Sequence, residues 1–107
     1  MTASDNGLVR REQLPLPARY VAPRTSTETT LAQIWAQVLS MDRVGIEDPY
    51  PDLGGDSFLA RVIFSQIAAV FQLDVPLALL AEAPTIAQLA ARIDALVHER
   101  SADRGQS

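Results

Sequence analysis

The chain has 107 residues, a formal net charge of −4 and no cysteine, so it can form one small domain but neither a disulfide framework nor a thiolate metal site. The acidic balance argues against a nucleic-acid partner, and no apolar run reaches the roughly 18 residues needed to span a bilayer. Since residues 1–11 are also too polar for a signal peptide, we expect a cytoplasmic protein without a membrane partner.

The first 24 residues lack the periodicity of a helix or strand. Their prolines break any helix and favour extended structure, above all in the run Leu14, Pro15, Leu16 and Pro17. This segment carries four Arg against two acidic residues, whereas residues 25–100 carry four Arg against ten. The change of charge predicts a flexible leader over residues 1–24, a folded domain over residues 25–100 and a disordered polar tail over residues 101–107.

The first helix is predicted to begin at Ser26 or Thr27, either of which can cap it, and to end near Ser40. Its apolar residues recur at the spacing of one buried face: Leu31, Ile34, Trp35, Val38 and Leu39. A long loop over residues 41–56 follows. Such a loop in a small domain is usually functional or held by its own packing, for which the candidates are Val44, Ile46, Tyr50 and Leu53.

Three further helices complete an all-α chain. The second is predicted over residues 57–71, with a core stripe at 100° per residue that contains Ala60, Ile63, Phe64, Ile67, Val70 and Phe71. A brief third helix ends near Ala83. Thr85 and Gln88 have the spacing of a capping box, and the last amphipathic helix runs to about Val97. We expect three main helices, one short helix and a long loop between the first two.

The stretch before the second helix is rich in glycine and acidic residues: Asp52, Leu53, Gly54, Gly55, Asp56 and Ser57. The glycines permit a sharp turn, and Asp56 can cap the helix. Ser57 then falls in the first turn, where the positive end of the helix dipole favours a phosphate. Taken alone, the stretch fits an ordinary glycine-rich turn at least as well as a functional site.

Phe58 and Val62 fall on the side of the second helix opposite its core stripe. An exposed apolar pair beside Ser57 predicts a surface for a partner protein. The alternative is that Phe58 folds back onto the 41–56 loop. Because Arg61 is the one charged residue of this helix, we expect its recognition by partners to be mostly apolar.

Motifs along most of the chain, up to about Arg100, resemble one family. Residues 52–57 resemble the motif in which a serine after two glycines and His or Asp bears 4′-phosphopantetheine. Residues 20–25, 27–39, 44–48 and 83–90 resemble the lead-in, first helix, loop and last helix of peptidyl carrier (thiolation) domains of nonribosomal peptide synthetases. The domain departs from that pattern in three places: Tyr50 and Pro51 stand where the family usually has two aromatics, Phe58 replaces the usual Leu or Ile, and Ala81 replaces a common Phe.

The resemblance extends upstream of the domain. Asn6-Gly7 and the 14–17 run resemble the tail of an adenylation domain and its linker. Leu8 stands where that tail normally has a substrate-contacting Lys, so no adenylation activity is inferred.

The resemblance implies a small carrier-type four-helix bundle in which Ser57 receives 4′-phosphopantetheine from coenzyme A. It implies these partners: a phosphopantetheinyl transferase, an adenylation enzyme or domain, and condensation, tailoring or thioesterase domains. The carrier itself is expected to be a monomer with no catalytic or metal-binding residue. The implied site comprises an attachment residue, Ser57, the preceding motif residues, partner contacts at Phe58 and Val62, and an adenylation-domain linker at Leu14, Pro15, Leu16 and Pro17.

Other classes stay open at this point. Acyl carrier proteins of fatty-acid or polyketide synthesis are the runner-up, although they usually have an acidic second helix and residues 57–71 contain no Asp or Glu. Gly55-Asp56-Ser57 also matches the start of the Gly-Asp-Ser hydrolase motif, which needs a strand before the nucleophile and a longer chain. A third reading is a helical interaction module in which Ser57 is a plain part of the cap.

Overall fold

Four α-helices form a bundle in the computed structural model of the protein, which describes the backbone of residues 7–105 and the side chains of residues 7–100. They are α1 (Ser26–Leu39), α2 (Ser57–Phe71), α3 (Leu79–Glu82) and α4 (Ile86–Gly105). Both α2 and α4 pack against α1. The predicted all-α bundle, with one short helix and a long loop between α1 and α2, is confirmed. Within the described residues, no helix combines the length and the apolar character needed to cross a bilayer.

The core is formed by one face of each long helix together with side chains of the loop. Its buried members include Leu31, Ile34, Trp35, Val44, Ile46, Tyr50, Leu53, Ile63, Phe64, Ile67, Ile86, Leu89 and Ile93. Val70, which we predicted in the core stripe, is instead 57% exposed. It lies at the edge of the predicted stripe, so a small rotation of the last turn of α2 is enough to turn it outward.

Helix α1 begins at Ser26, as predicted, but its N-cap lies one residue earlier than expected. Thr25, and not Ser26 or Thr27, is the N-cap, and its hydroxyl accepts a hydrogen bond from the Glu28 N–H at 3.1 Å. Glu28 is buried and accepts the backbone N–H groups of Arg24 and Thr25 in return, which completes a capping box. The ion pair with Arg24 lowers the pKa of Glu28 below its usual value.

The segment over residues 9–21, here called the N-terminal segment, lies against the bundle. Val9 forms an isolated parallel bridge with Met41, and the carbonyl of Val21 accepts the Ile46 N–H at 3.0 Å. Leu14 and Leu16 are half-buried against the core. These contacts differ from the flexible leader that we expected, because extended, proline-containing chain can pack and pair without any periodicity in its sequence.

A buried ion pair joins this segment to the loop. The guanidinium of Arg11 donates from Nε and Nη2 to the two carboxylate oxygens of Asp48, each at 2.6 Å. Asp48 is fully buried and Arg11 nearly so, and the same guanidinium donates to the Ala18 carbonyl at 2.9 Å. The hydrogen-bonded carboxylate raises the pKa of Arg11 above its ordinary value. This bidentate geometry is among the strongest that side chains form.

The last helix is longer than predicted, since α4 continues to Gly105 rather than ending near Val97. Its backbone therefore runs through residues 101–105 of the stretch that we expected to be a disordered tail, because a polar sequence is compatible with helix. Residues 1–6 of the predicted leader and residues 106–107 of the predicted tail lie outside the described residues. The division of the chain at residues 24 and 100 stays a prediction.

Replacing Arg11 by Ala should destabilise the fold by about 3 kcal/mol, because it leaves the buried Asp48 carboxylate without its cation. Denaturant unfolding followed by circular dichroism measures the loss. The matched control is Arg10→Ala, since Arg10 pairs with Glu12 at the surface and should contribute at most about 0.5 kcal/mol. Equal unfolding midpoints for the two variants would show that the N-terminal segment does not hold the loop.

Candidate functional site

The turn that leads into α2 is built from a short 3-10 helix and two glycines. Residues Tyr50–Leu53 form the 3-10 helix, which ends at Gly54 in the left-handed region at φ 84°. Gly55 follows with its backbone directly against the Tyr50 ring. A Cβ at Gly55 would lie 2.1 Å from Tyr50 Cζ, so this position has no room for any side chain. The two glycines therefore have different roles. Gly54 reverses the direction of the chain, and Gly55 allows the backbone to lie close to the Tyr50 ring.

Asp56 and Ser57 begin the helix as the sequence predicts. Asp56 is the N-cap, and its Oδ1 accepts the Leu59 N–H at 2.9 Å. Ser57 is the first residue of α2 and is exposed, so its hydroxyl is accessible at the positive end of the helix dipole. The exposed serine hydroxyl supplies the nucleophilic oxygen that a phosphate ester requires, and the helix start favours the resulting anion. The residues present thus fit a phosphate-linked group.

Tyr50 holds this turn from inside the protein. Its hydroxyl donates to the Asp56 carbonyl at 2.8 Å, while its backbone N–H donates to the Pro84 carbonyl at 2.9 Å. The ring meets Trp35 edge-on, with 6.2 Å between the ring centroids. Burial raises the pKa of the Tyr50 hydroxyl, so the group stays protonated and donates at neutral pH. The sequence predicted only that Tyr50 would help to pack the loop.

A shallow apolar groove of about 350 Å³ opens beside Ser57. Tyr50, Ala60, Leu77, Leu80 and Ala81 line most of it. Leu80 lies in α3, whereas Leu77 lies just before it and is exposed. Neither leucine was predicted to have a functional role. Ala81 was noted as a small residue where the family commonly has Phe, and that difference leaves this side of the groove open.

The two predicted partner residues have different surroundings. Phe58 is 70% exposed beside Ser57, so it does not fold back onto the loop. Val62 is partly buried and so offers less surface than we expected. The predicted linker residues lie elsewhere: Leu14 and Leu16 contact the core, while Pro15 and Pro17 are exposed. The structure therefore brings Phe58 to Ser57 but does not bring the 14–17 run into the same site.

Comparison with known proteins places this helical bundle and its serine turn in a defined class. Residues 29–93 match the family described as "Phosphopantetheine attachment site". A structure of an active-site mutant peptidyl carrier protein is 35% identical, with a TM-score of 0.72, and the match covers 77% of this chain and 91% of that one. The carrier in a complex of the phosphopantetheine transferase Sfp, coenzyme A and a peptidyl carrier protein is 36% identical, with a TM-score of 0.69, over 71% of this chain and 99% of that one.

Among curated sequences, tyrocidine synthase 3 of Brevibacillus parabrevis is 46% identical over 94 residues, which cover 81% of this chain. Fold and site together define a helical carrier domain. The chain belongs to the phosphopantetheine attachment-site family, as a peptidyl carrier domain of the nonribosomal peptide synthetase type. It spans only 1% of tyrocidine synthase 3 and 2% of another such relative, gramicidin S synthase 2 of Brevibacillus brevis, to which it is 39% identical over 97 residues.

Gly55→Ala should destabilise the protein by about 1–3 kcal/mol, because the added Cβ must displace the packed Tyr50 ring. Thermal and denaturant unfolding measure the effect. Gly54→Asn is the matched control, since open space surrounds Gly54 and Asn adopts the left-handed conformation more readily than other residues with a side chain. If Gly55→Ala proves as stable as the wild type, the close contact between Tyr50 and the turn does not exist in solution.

Proposed function

We propose that Ser57 bears a 4′-phosphopantetheine arm and that the chain carries aminoacyl or peptidyl groups between the enzymes of nonribosomal peptide synthesis. The observation that carries the proposal is the exposed Ser57 hydroxyl at the start of α2, fixed by the Asp56 cap and the glycine turn. The motif of Asp52, Leu53, Gly54, Gly55 and Asp56 forms this turn. The family match and the similar carrier bound with a transferase and coenzyme A support the assignment.

The arm supplies a terminal thiol that holds the cargo as a thioester. The chain contains no cysteine, so it has no thiol of its own for this purpose. Its residues present the attachment hydroxyl and a surface for partners, and we propose that they catalyse no reaction. Tethering then raises the effective concentration of the cargo at each partner enzyme. The cytoplasm remains the predicted location of the protein.

Partners in this proposal are a phosphopantetheinyl transferase, an adenylation enzyme or domain, and condensation, tailoring or thioesterase domains. Each must bind briefly and release the carrier, which suits a small contact surface. Phe58 offers exposed apolar area next to Ser57, with Val62 at its margin. Arg61 is the one charged residue of α2, so this helix suits mostly apolar contacts.

The linker role of residues 14–17 is a separate proposal. Pro15 and Pro17 are exposed and available to an adenylation partner, whereas Leu14 and Leu16 already contact the carrier's own core. Docking through the leucines would therefore compete with those contacts. The hydrolase alternative has less support, since a 3-10 helix and not a strand precedes the serine turn.

Ser57→Ala should abolish the addition of phosphopantetheine, because the variant lacks the oxygen that forms the phosphate ester. Intact-mass measurement after incubation with coenzyme A and a promiscuous transferase gives the result: one added unit on the wild type and none on the variant. Ser65→Ala, at an exposed serine in the middle of α2, should be modified like the wild type. Modification of the Ser57→Ala protein, or an unmodified wild type, would contradict the proposal.

Phe58→Asp should leave folding stability within about 0.5 kcal/mol of the wild type, since the side chain is exposed. Transfer to or from at least one partner enzyme should fall, because the contact would then have to desolvate a charge. Thermal melting and a loading or condensation assay measure the two effects.

The matched control is Val70→Asp, at an exposed apolar residue about 20 Å further along α2. It should leave transfer unchanged and lower stability by at most about 1 kcal/mol, because an anion in the last turn of α2 opposes the helix dipole. A stability loss of about 2 kcal/mol or more in Phe58→Asp, the size of a core defect, would show that Phe58 is packed and not a partner contact.

A further inference from the structure

The Asp56 carbonyl is held by two donors from different parts of the molecule. The Ala60 N–H donates to it at 2.9 Å as the first hydrogen bond of α2, and the Tyr50 hydroxyl donates to it at 2.8 Å from the loop. The side chain of the same residue accepts the Leu59 N–H. The carbonyl and the carboxylate of the residue directly before Ser57 are therefore both fixed, and Tyr50 supplies the contact that comes from outside the helix.

Tyr50 is itself firmly held. It is 5% exposed, its ring packs edge-on against the fully buried Trp35, and its backbone N–H is bonded to the Pro84 carbonyl just before α4. The ring also occupies the space that a side chain at Gly55 would need. Movement of the turn relative to the core therefore has to break a hydrogen bond or displace a packed aromatic ring.

We propose that the Tyr50 hydroxyl is a positioning group for phosphopantetheine transfer, because it fixes the Asp56 peptide and so the direction in which Ser57 presents its Oγ. This inference rests on the proposed function of Ser57 and adds a buried residue that acts on Ser57 through the Asp56 peptide. Displacement reactions are sensitive to such alignment, since a shift of about 1 Å in a reacting atom can lower the rate about 100-fold.

The transfer of phosphopantetheine needs no reactant other than Ser57 and coenzyme A. Ser57 Oγ forms a bond to the phosphorus that bears the pantetheine chain of coenzyme A, and the bond from that phosphorus to the bridging pyrophosphate oxygen breaks. The nucleotide bisphosphate half leaves, and the serine proton passes to a base outside this chain. The carrier contributes the direction from which Ser57 Oγ attacks the phosphorus, and this direction depends on the turn that Tyr50 holds.

Tyr50→Phe removes the donor and keeps the ring, so it isolates the hydrogen bond. With coenzyme A and a transferase, and the carrier as varied substrate, we expect kcat to fall about tenfold while KM stays within about twofold of wild type. The N–H groups of Leu59 and Ala60, which both donate to Asp56, should exchange with deuterium faster in the variant. Reactions are run at a temperature at which circular dichroism shows every variant folded.

Tyr20→Phe is the matched control, because it removes the same atom from the other tyrosine, whose ring stacks with Arg43 away from the turn. It should keep wild-type kcat, KM and exchange rates. Wild-type kcat in Tyr50→Phe, a change in KM alone, or an equal fall in Tyr20→Phe would overturn the positioning role while leaving Ser57 as the attachment residue. A wild-type protein that gains no phosphopantetheine would overturn the proposed function itself.

Discussion

The contact between Tyr50 and the turn at Gly55 and Asp56 connects the core of the protein to its exposed serine. The ring is packed against Trp35 of α1, its N–H is bonded to the segment that starts α4, and its hydroxyl reaches the N-cap of α2. Three helices are therefore connected through one residue, Tyr50. Gly55 is required because the Tyr50 ring lies where a Cβ would be. A glycine that suggests local flexibility in the sequence is therefore required by close packing in the structure.

Packing and hydrogen bonds also keep the long loop between α1 and α2 in a defined shape. Residues 40–56 bury Val44, Ile46 and Leu53, and the buried Asp48 accepts hydrogen bonds from the Gly45 N–H and from Arg11. The loop thus packs against the core and is also bound by the N-terminal segment. A rigid loop on one side and a capped helix on the other leave Ser57 exposed but fixed, which suits a residue that a separate enzyme must reach.

Periodicity and local chemistry were sufficient to predict the helices, the Asp56 cap and the position of Ser57, since each depends on residues close in sequence. The Arg11–Asp48 pair was not predictable in this way. Its partners are 37 residues apart, and a charged residue in a sequence usually indicates solvent exposure. Val70 was assigned wrongly because an ideal 100° rotation does not fix the edge of a buried stripe. The groove beside Ser57 also escaped prediction, because it depends on how α3 lies against α2.

We infer that Ser57 alone receives the phosphopantetheine arm, and peptide mapping tests this directly. Cleavage after Arg43 and Arg61 releases residues 44–61, a peptide in which Ser57 is the only residue with an aliphatic hydroxyl. After incubation with coenzyme A and a transferase, we expect this peptide to gain one phosphopantetheine and every other peptide to keep its mass. An unchanged 44–61 peptide beside a modified peptide from elsewhere in the chain would contradict it.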